Sequence, residues 1–197
     1  MPPRTNQHLR TRKDLLLAAA KLLKEGRQPT MDEIAAAALV SRATAYRYFP
    51  TLEALLVEAP LDGAMPDARQ IFAEDKSTDP VERADRAEAE IHRMSYQNEA
   101  QLRLMLANTL LVRPAESEAA APARQNRRTP LIEAALAPSR KRFTKEAYEN
   151  LCAALALVFG TESMVVFRDV VPLDERKARK VKSWAIRALV NAALKER

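Results

Sequence analysis

The chain has 197 residues, 47% hydrophobic and 29% charged, with a net charge of +6, which is globular composition with core material for one large domain or two small ones. Only three glycines and one cysteine exclude a glycine-rich phosphate cradle, an internal disulfide and a cysteine-built zinc site, and suit a reducing cytoplasmic setting. Abundant Ala, Leu, Glu, Lys and Arg with few aromatic or β-branched runs predict an all-α fold. No run nears the roughly 18 apolar residues of a membrane span. Arg10, Arg12, Lys13 and Asp14 lead into an amphipathic pattern rather than a signal peptide.

Apolar residues Leu15, Leu16, Ala19, Leu22 and Leu23 form one helical stripe from about Thr11, leaving His8 in a frayed arm. Gly26 stops that helix. Thr30 and Glu33 form the capping box of a short helix from Met31 to about Ala38. Leu39-Val40-Ser41 connects to a third helix, Arg42 to about Phe49, with Ser41 as its N-cap. Pro50 ends it, and Thr51 caps a fourth. Two short helices joined by three or four residues have helix-turn-helix dimensions. The third helix buries Ala45 and Phe49 with Val40, which leaves Tyr46, Arg47 and Tyr48 projecting. Such outward polar groups suit a duplex; the alternative is that both tyrosines pack against the first helix. Charge layout agrees, with nine Lys/Arg against five Asp/Glu in residues 1–57 and five against eleven in 58–101.

The run Ser41-Arg42-Ala43-Thr44-Ala45-Tyr46-Arg47-Tyr48-Phe49-Pro50-Thr51-Leu52-Glu53-Ala54-Leu55-Leu56, with Pro29-Thr30-Met31-Asp32-Glu33-Ile34-Ala35 before it, resembles the TetR family of bacterial transcriptional regulators. The resemblance covers about residues 10–60. It implies a three-helix helix-turn-helix head on a larger C-terminal helical domain for regulation and dimerisation. The head is then residues 1–50, the connecting helix about 51–63, and the ligand-binding and dimerisation domain 64–197. By the same resemblance Thr30 holds a phosphate, and Ser41, Arg42 and Ala43 face base edges. Thr44, Tyr46 and Tyr48 contact phosphates or bases, and Arg47 belongs to the same DNA-binding surface. Three residues depart from the family's pattern: Leu39 where glycine is usual, Ala45 where a larger apolar residue is common, and Leu52 where a phosphate-binding lysine is frequent.

Pro60, Gly63 and Pro66 punctuate the exit from the fourth helix and predict a hinge or kink. A short helix from about Pro66 to Ala73 follows, anchored by Ile71 and Phe72. Asp79 caps a helix to about Gln97, and Asn98 caps the next, which carries Leu102, Leu106 and Leu110 to about Val112. Pro114–Pro122 reads as a loop and 124–137 as a helix. Thr144 starts one long helix through Tyr148, Leu151, Cys152, Leu155, Val158, Phe159, Val165 and Val166. Asp174 caps the last helix. Leu155 and Val158 on the long helix, with Val181, Trp184, Ala185, Ala188, Leu189 and Ala192 on the last, are expected to form a symmetric four-helix dimer interface. The alternative is that both helices are the core of one monomer. The basic runs Arg124/Arg127/Arg128, Arg140/Lys141/Arg142 and Arg176 to Lys182 read as solvated faces.

Two histidines, His8 and His92, give no metal cluster or Cys/His nucleophile, so no catalytic residue, metal or cofactor is assigned. Cys152 falls on an apolar helical face, as a packed core residue would. His92, Tyr96, Arg103, Met105, Asn108, Tyr148 and Cys152 stand on helices that in the family surround an inducer cavity, and would line a pocket there. The reading is a cytoplasmic, homodimeric, ligand-responsive repressor of a near-palindromic double-stranded DNA operator, not an enzyme and not at a membrane. The rivals are a helical small-molecule carrier or enzyme with a non-functional head, and a sequence-independent DNA binder.

Overall fold

A computed structural model of the chain describes residues 3–111 and 126–196. Regular structure among them is helical throughout: α1 (Pro3–Lys24), α2 (Met31–Ala37), α3 (Arg42–Tyr48), α4 (Leu52–Ala64), α5 (Ala68–Ile71), α6 (Pro80–Gln97), α7 (Glu99–Leu111), α8 (Arg128–Leu136), a 3-10 turn (Ala137–Arg142), α9 (Lys145–Val158), α10 (Thr161–Val165), a π-turn (Val166–Val170) and α11 (Glu175–Ala193). They form two compact units, one of α1–α4 with α7 from residue 100, the other of α5, α6 and α8–α11.

In the first unit Leu15, Leu16, Ala19 and Leu22 of α1 pack with Met31, Ile34 and Ala35 of α2, Ala45 and Phe49 at α3, and Leu55 and Ala59 of α4. The apolar spacing of each helix dictates these choices. The capping box at Thr30 and the Ser41 cap form as the local sequence requires. Two boundaries in these helices differ from the sequence reading. α1 starts near Pro3 rather than Thr11, so His8 sits within a helix and not in a frayed arm. α4 matches the expected connecting helix of about 51–63, running through exposed Pro60 to Ala64. Asn98 closes α6 rather than opening α7, its Nδ2 donating to the Met94 carbonyl at 2.8 Å. The loop expected at Pro114–Pro122, the helix end at Val112 and Arg124 lie outside the described residues; α8 begins at Arg128.

A guanidinium joins the head across its core. Arg12 of α1 donates to both carboxylate oxygens of Glu58 on α4, at 2.6 and 2.5 Å, and lies 4.5 Å from the centre of the Phe49 ring. Both side chains are buried, and burial of an ion pair is tolerated only when its hydrogen bonds are satisfied, as here.

In the second unit Ala84, Ala87 and Ile91 of α6 meet Leu131, Ile132, Ala135 and Leu136 of α8, Leu151 and Leu155 of α9, and Ile186 and Val190 of α11. Ile71 and Phe72 pack on this core, half-buried, around a helix shorter than expected. The single long helix predicted from Thr144 is instead broken after Val158. Gly160 takes φ +98, ψ −155, and α9 and the segment after it bend by 45°. Beside Gly160 the Arg128 guanidinium donates to the Ala156 carbonyl at 2.8 Å and to Glu162 at 2.7 Å. An added Cβ on Gly160 would stand 3.2 Å from Arg128 Cζ, so the break needs glycine for both its backbone and its space. Among the described residues no single helix is long and apolar enough to cross a membrane.

Candidate nucleic-acid interface

α3 carries one buried residue, Ala45, and ends on buried Phe49. Ser41, Arg42, Ala43, Tyr46 and Arg47 are exposed and Thr44 is half-buried. At its N-terminus Ser41 Oγ accepts the Thr44 N–H at 3.1 Å and donates to Thr44 Oγ1 at 2.9 Å, which aligns two hydroxyls side by side. Arg42 donates to Asp32 of α2 at 2.9 Å with both side chains mostly in solvent, where such a pair is worth little and exchanges readily. The Arg42 guanidinium also sits 5.5 Å from the Tyr46 ring centre. Tyr46 itself is 38% exposed.

Tyr48 departs from its expected outward placement. It is half-buried against the head core, its ring 4.3 Å from that of His8 on α1, with the Arg47 guanidinium 5.5 Å from its ring centre. Spacing within α3 could not reveal this, because His8 is 40 positions away. Burial, then the nearby Arg12 and Arg47 charges, hold the His8 imidazole below its usual pKa.

Thr30 at the N-terminus of α2 is engaged in its own cap. Its N–H donates to Glu33 Oε2 at 2.8 Å and its Oγ1 accepts the Glu33 N–H at 3.3 Å. The Thr30 hydrogen bonds, backbone first, together with the Arg27 guanidinium that also donates to it, keep the Glu33 carboxyl below the ordinary range. Between α2 and α3 the chain turns at Leu39, φ +56, with its side chain 93% exposed. A leucine therefore holds the left-handed position that glycine occupies at least cost.

Of the seven residues assigned to an effector pocket, His92 and Tyr96 meet one turn apart on α6, ring centres 4.4 Å apart. His92 is buried, and burial, then the Lys182, Arg179 and Arg168 charges, push its pKa down to about 4, opposed by the Glu175 backbone. Tyr148 and Cys152 form a second pair on α9, with the Tyr148 hydroxyl pushed up to about 12 by burial and then by Cys152. No hydrogen bond, ion pair or ring contact joins that pair to His92 or Tyr96. Arg103, Met105 and Asn108 stand on α7 in the other unit, Met105 buried and the other two half-buried.

Around His92 lies a charge network that the sequence reading missed. Lys182 is 1% exposed and its Nζ donates to Glu88 Oε1 at 3.0 Å. Arg179 reaches Asp85 at 2.8 Å and Glu88 at 3.2 Å. The run Arg176 to Lys182 is thus not a uniformly solvated face, and Arg128 is likewise drawn inward to Glu162. The signal available in the sequence was Asp85 and Glu88 on one face of α6, facing Arg179 and Lys182 one turn apart on α11.

The two helices assigned to a dimer interface divide unevenly. Leu155 is fully buried in the core of its own unit and has no surface to offer a partner, because α9 packs against α8 and α11. Val158, Ala185 and Leu189 are half-buried, while Val181, Ala188, Ala192 and Trp184, the last 71% exposed, stand on the outer face of α11.

Comparison with known proteins bears on the head first. Residues 15–59 match the model of the bacterial regulatory proteins of the tetR family. No curated protein matches the chain significantly. Among solved structures the fold is similar to that of a TetR transcriptional regulator from Rhodococcus sp. RHA1, 22% identical, with a TM-score of 0.52, over 92% of this chain and 97% of that one. The helix-turn-helix head over α1 to α4 is thus similar to that of the bacterial regulatory proteins of the tetR family, within a chain whose all-α fold is similar to that of a solved regulator.

Proposed function

We propose that the protein is a homodimeric repressor whose two heads read successive major grooves, roughly 34 Å apart, of a near-palindromic operator. The observation that carries this reading is the division of α3, with Ala45 and Phe49 inward and Ser41, Arg42, Ala43, Tyr46 and Arg47 outward. In it Ser41, Arg42 and Ala43 reach base edges. Tyr46, Arg47 and Thr44 meet phosphates, and Tyr48 braces the helix against α1 while its edge faces the groove. Thr30 contributes through the N-terminal end of α2 rather than through a free hydroxyl. Arg42 exchanges its exposed Asp32 partner for a base or phosphate at little cost.

The dimer forms through the outer face of α11, where Val181, Trp184, Ala185, Ala188, Leu189 and Ala192 supply one apolar surface with small residues for close approach, and Val158 of α9 adds to it. A small effector binds the second domain, at residues 64–197, and shifts the protein toward a form with lower operator affinity. Couplings of this kind are about 1–3 kcal/mol, so release is graded with effector concentration. The protein acts in the cytoplasm and carries out no catalysis.

The decisive measurement is a gel-shift titration of Tyr46→Ala on the operator recovered by selection from genomic fragments. Affinity falls by about 1–3 kcal/mol while the dimer persists. Unchanged affinity would show that α3 is not the reader. Equal affinity for random and selected DNA at fixed salt would instead favour a sequence-independent binder.

A further inference from the structure

Among the described residues, six buried side-chain atoms have no hydrogen-bond partner of normal geometry, and five of them lie on one face of α6: Glu88 Oε2, both ring nitrogens of His92, Ser95 Oγ and Tyr96 Oη. Glu88 Oε2 is compensated by its ion pair with Arg179 at 3.2 Å. The four remaining atoms belong to three side chains within five residues. Unsatisfied buried polar groups are a few per hundred residues in native proteins, so such a concentration marks a place where polar partners come from outside the chain.

The charges around this face fix what those partners are. Lys182 is bound to Glu88, Arg179 to Asp85 and Glu88, and Arg168, lying 4.7 Å from the Tyr96 ring centre, to Glu99. Each cation already faces a carboxylate. The nearest other acid, Glu175 at the start of α11, lies 4.0 Å from His92 Nε2 with its side chain half in solvent, which makes it the rim of the face rather than its floor. Apart from the Glu175 backbone, which reaches the His92 imidazole, what is left unpaired is neutral. A neutral imidazole offers one donor and one acceptor, and each hydroxyl offers both. These groups suit an oxygen that can donate or accept, and charge pairs already closed give an ion nothing to gain for its desolvation.

We infer that the His92–Ser95–Tyr96 face of α6 is the effector subsite and takes an uncharged small molecule bearing a hydroxyl or carbonyl oxygen. This assignment rests on the ligand-responsive reading above. Arg103, Met105, Asn108, Tyr148 and Cys152 are not needed for it.

Phenol and toluene test it, since they differ by a hydroxyl against a methyl, with benzoate and benzylammonium as the charged controls. The chain has two histidines, so long-range proton–nitrogen spectra of the full-length protein report on His92 with His8 as an internal control. Phenol is expected to shift the His92 resonances saturably, with a Kd about fivefold below that of toluene and of either ion. Ser95→Ala and Tyr96→Phe are expected to weaken phenol about threefold each while leaving the Tm unchanged or higher, because removing a hydroxyl that has no partner loses no bond. Equal response to phenol and toluene, no His92 response, or a lower Tm in both variants would overturn the proposal, the last because it means interior water already satisfies these hydroxyls. These spectra need no DNA, so they stand apart from the regulatory reading. Phenol bound at His92 with operator affinity unchanged would overturn the assignment to the effector.

Discussion

Leu39 pays for its place in the turn of the helix-turn-helix with backbone strain and gains no burial in return. A left-handed conformation costs a non-glycine residue about 1–2 kcal/mol, and at 93% exposure there is no packing to lose. Leu39→Gly is therefore expected to raise the midpoint of urea unfolding, by up to about 1 kcal/mol after glycine's larger unfolded-state entropy is subtracted. A lower midpoint would show that the turn is not strained. His92 makes the opposite kind of prediction, in pH. Its folded pKa of about 4 lies below the ordinary 6.5, so the unfolded chain takes up the proton first. The stability it contributes is whole above pH 6.5 and is lost as the pH falls toward 4, at no more than about 1.4 kcal/mol per pH unit. Thermal unfolding of the wild type and His92→Gln from pH 7 to 4.5 checks this: the variant should lose less Tm on acidification. The Leu39 departure was visible in the sequence because turn chemistry is local. The environment of His92 was not, because Lys182, Arg179, Arg168 and Glu175 come from 76 or more positions away.

Helix starts were the most legible elements. Thr30, Ser41, Asp79, Thr144 and Asp174 each accept a backbone N–H within the next three residues, as their sequences require, since a cap depends only on the chain beside it. Helix interruptions were harder to read. Pro60 lies inside α4, which runs on past it to Ala64 as the expected span of about 51–63 requires, losing one hydrogen bond at an exposed turn. Conversely, apolar spacing from Tyr148 to Val166 ran unbroken across Gly160, and only the Arg128 guanidinium beside the glycine shows why the helix stops there. Gly160→Ala is expected to destabilise the protein by about 1–3 kcal/mol, since φ +98 with ψ −155 is a region almost reserved for glycine and Arg128 would have to move as well. Chemical denaturation reads the loss; wild-type stability in the variant would show that α9 and α10 join as readily without the break.

At the scale of the whole molecule, the fold class followed from composition and the head from its helix spacing, whereas the surfaces for partners depended on which face each long helix turns inward. Leu155 illustrates the limit: its spacing fitted an interface, and only the packing of α9 against α8 and α11 shows it to be core. Trp184, 71% exposed on α11, is the residue on which the proposed dimer most depends. Trp184→Glu is expected to shift the protein to monomer in light scattering at micromolar concentration, with helix content unchanged, because a charge at the centre of an apolar contact is desolvated without a partner. A dimer that survives this change would move the interface elsewhere.

Arg12 holds Glu58 with two of its nitrogens and covers Phe49, the residue that closes α3. One rigid, planar group thereby bolts α1, α4 and the end of α3 into a single lever arm. A twist of α4 is therefore expected to carry α1 and the C-terminal end of α3 with it.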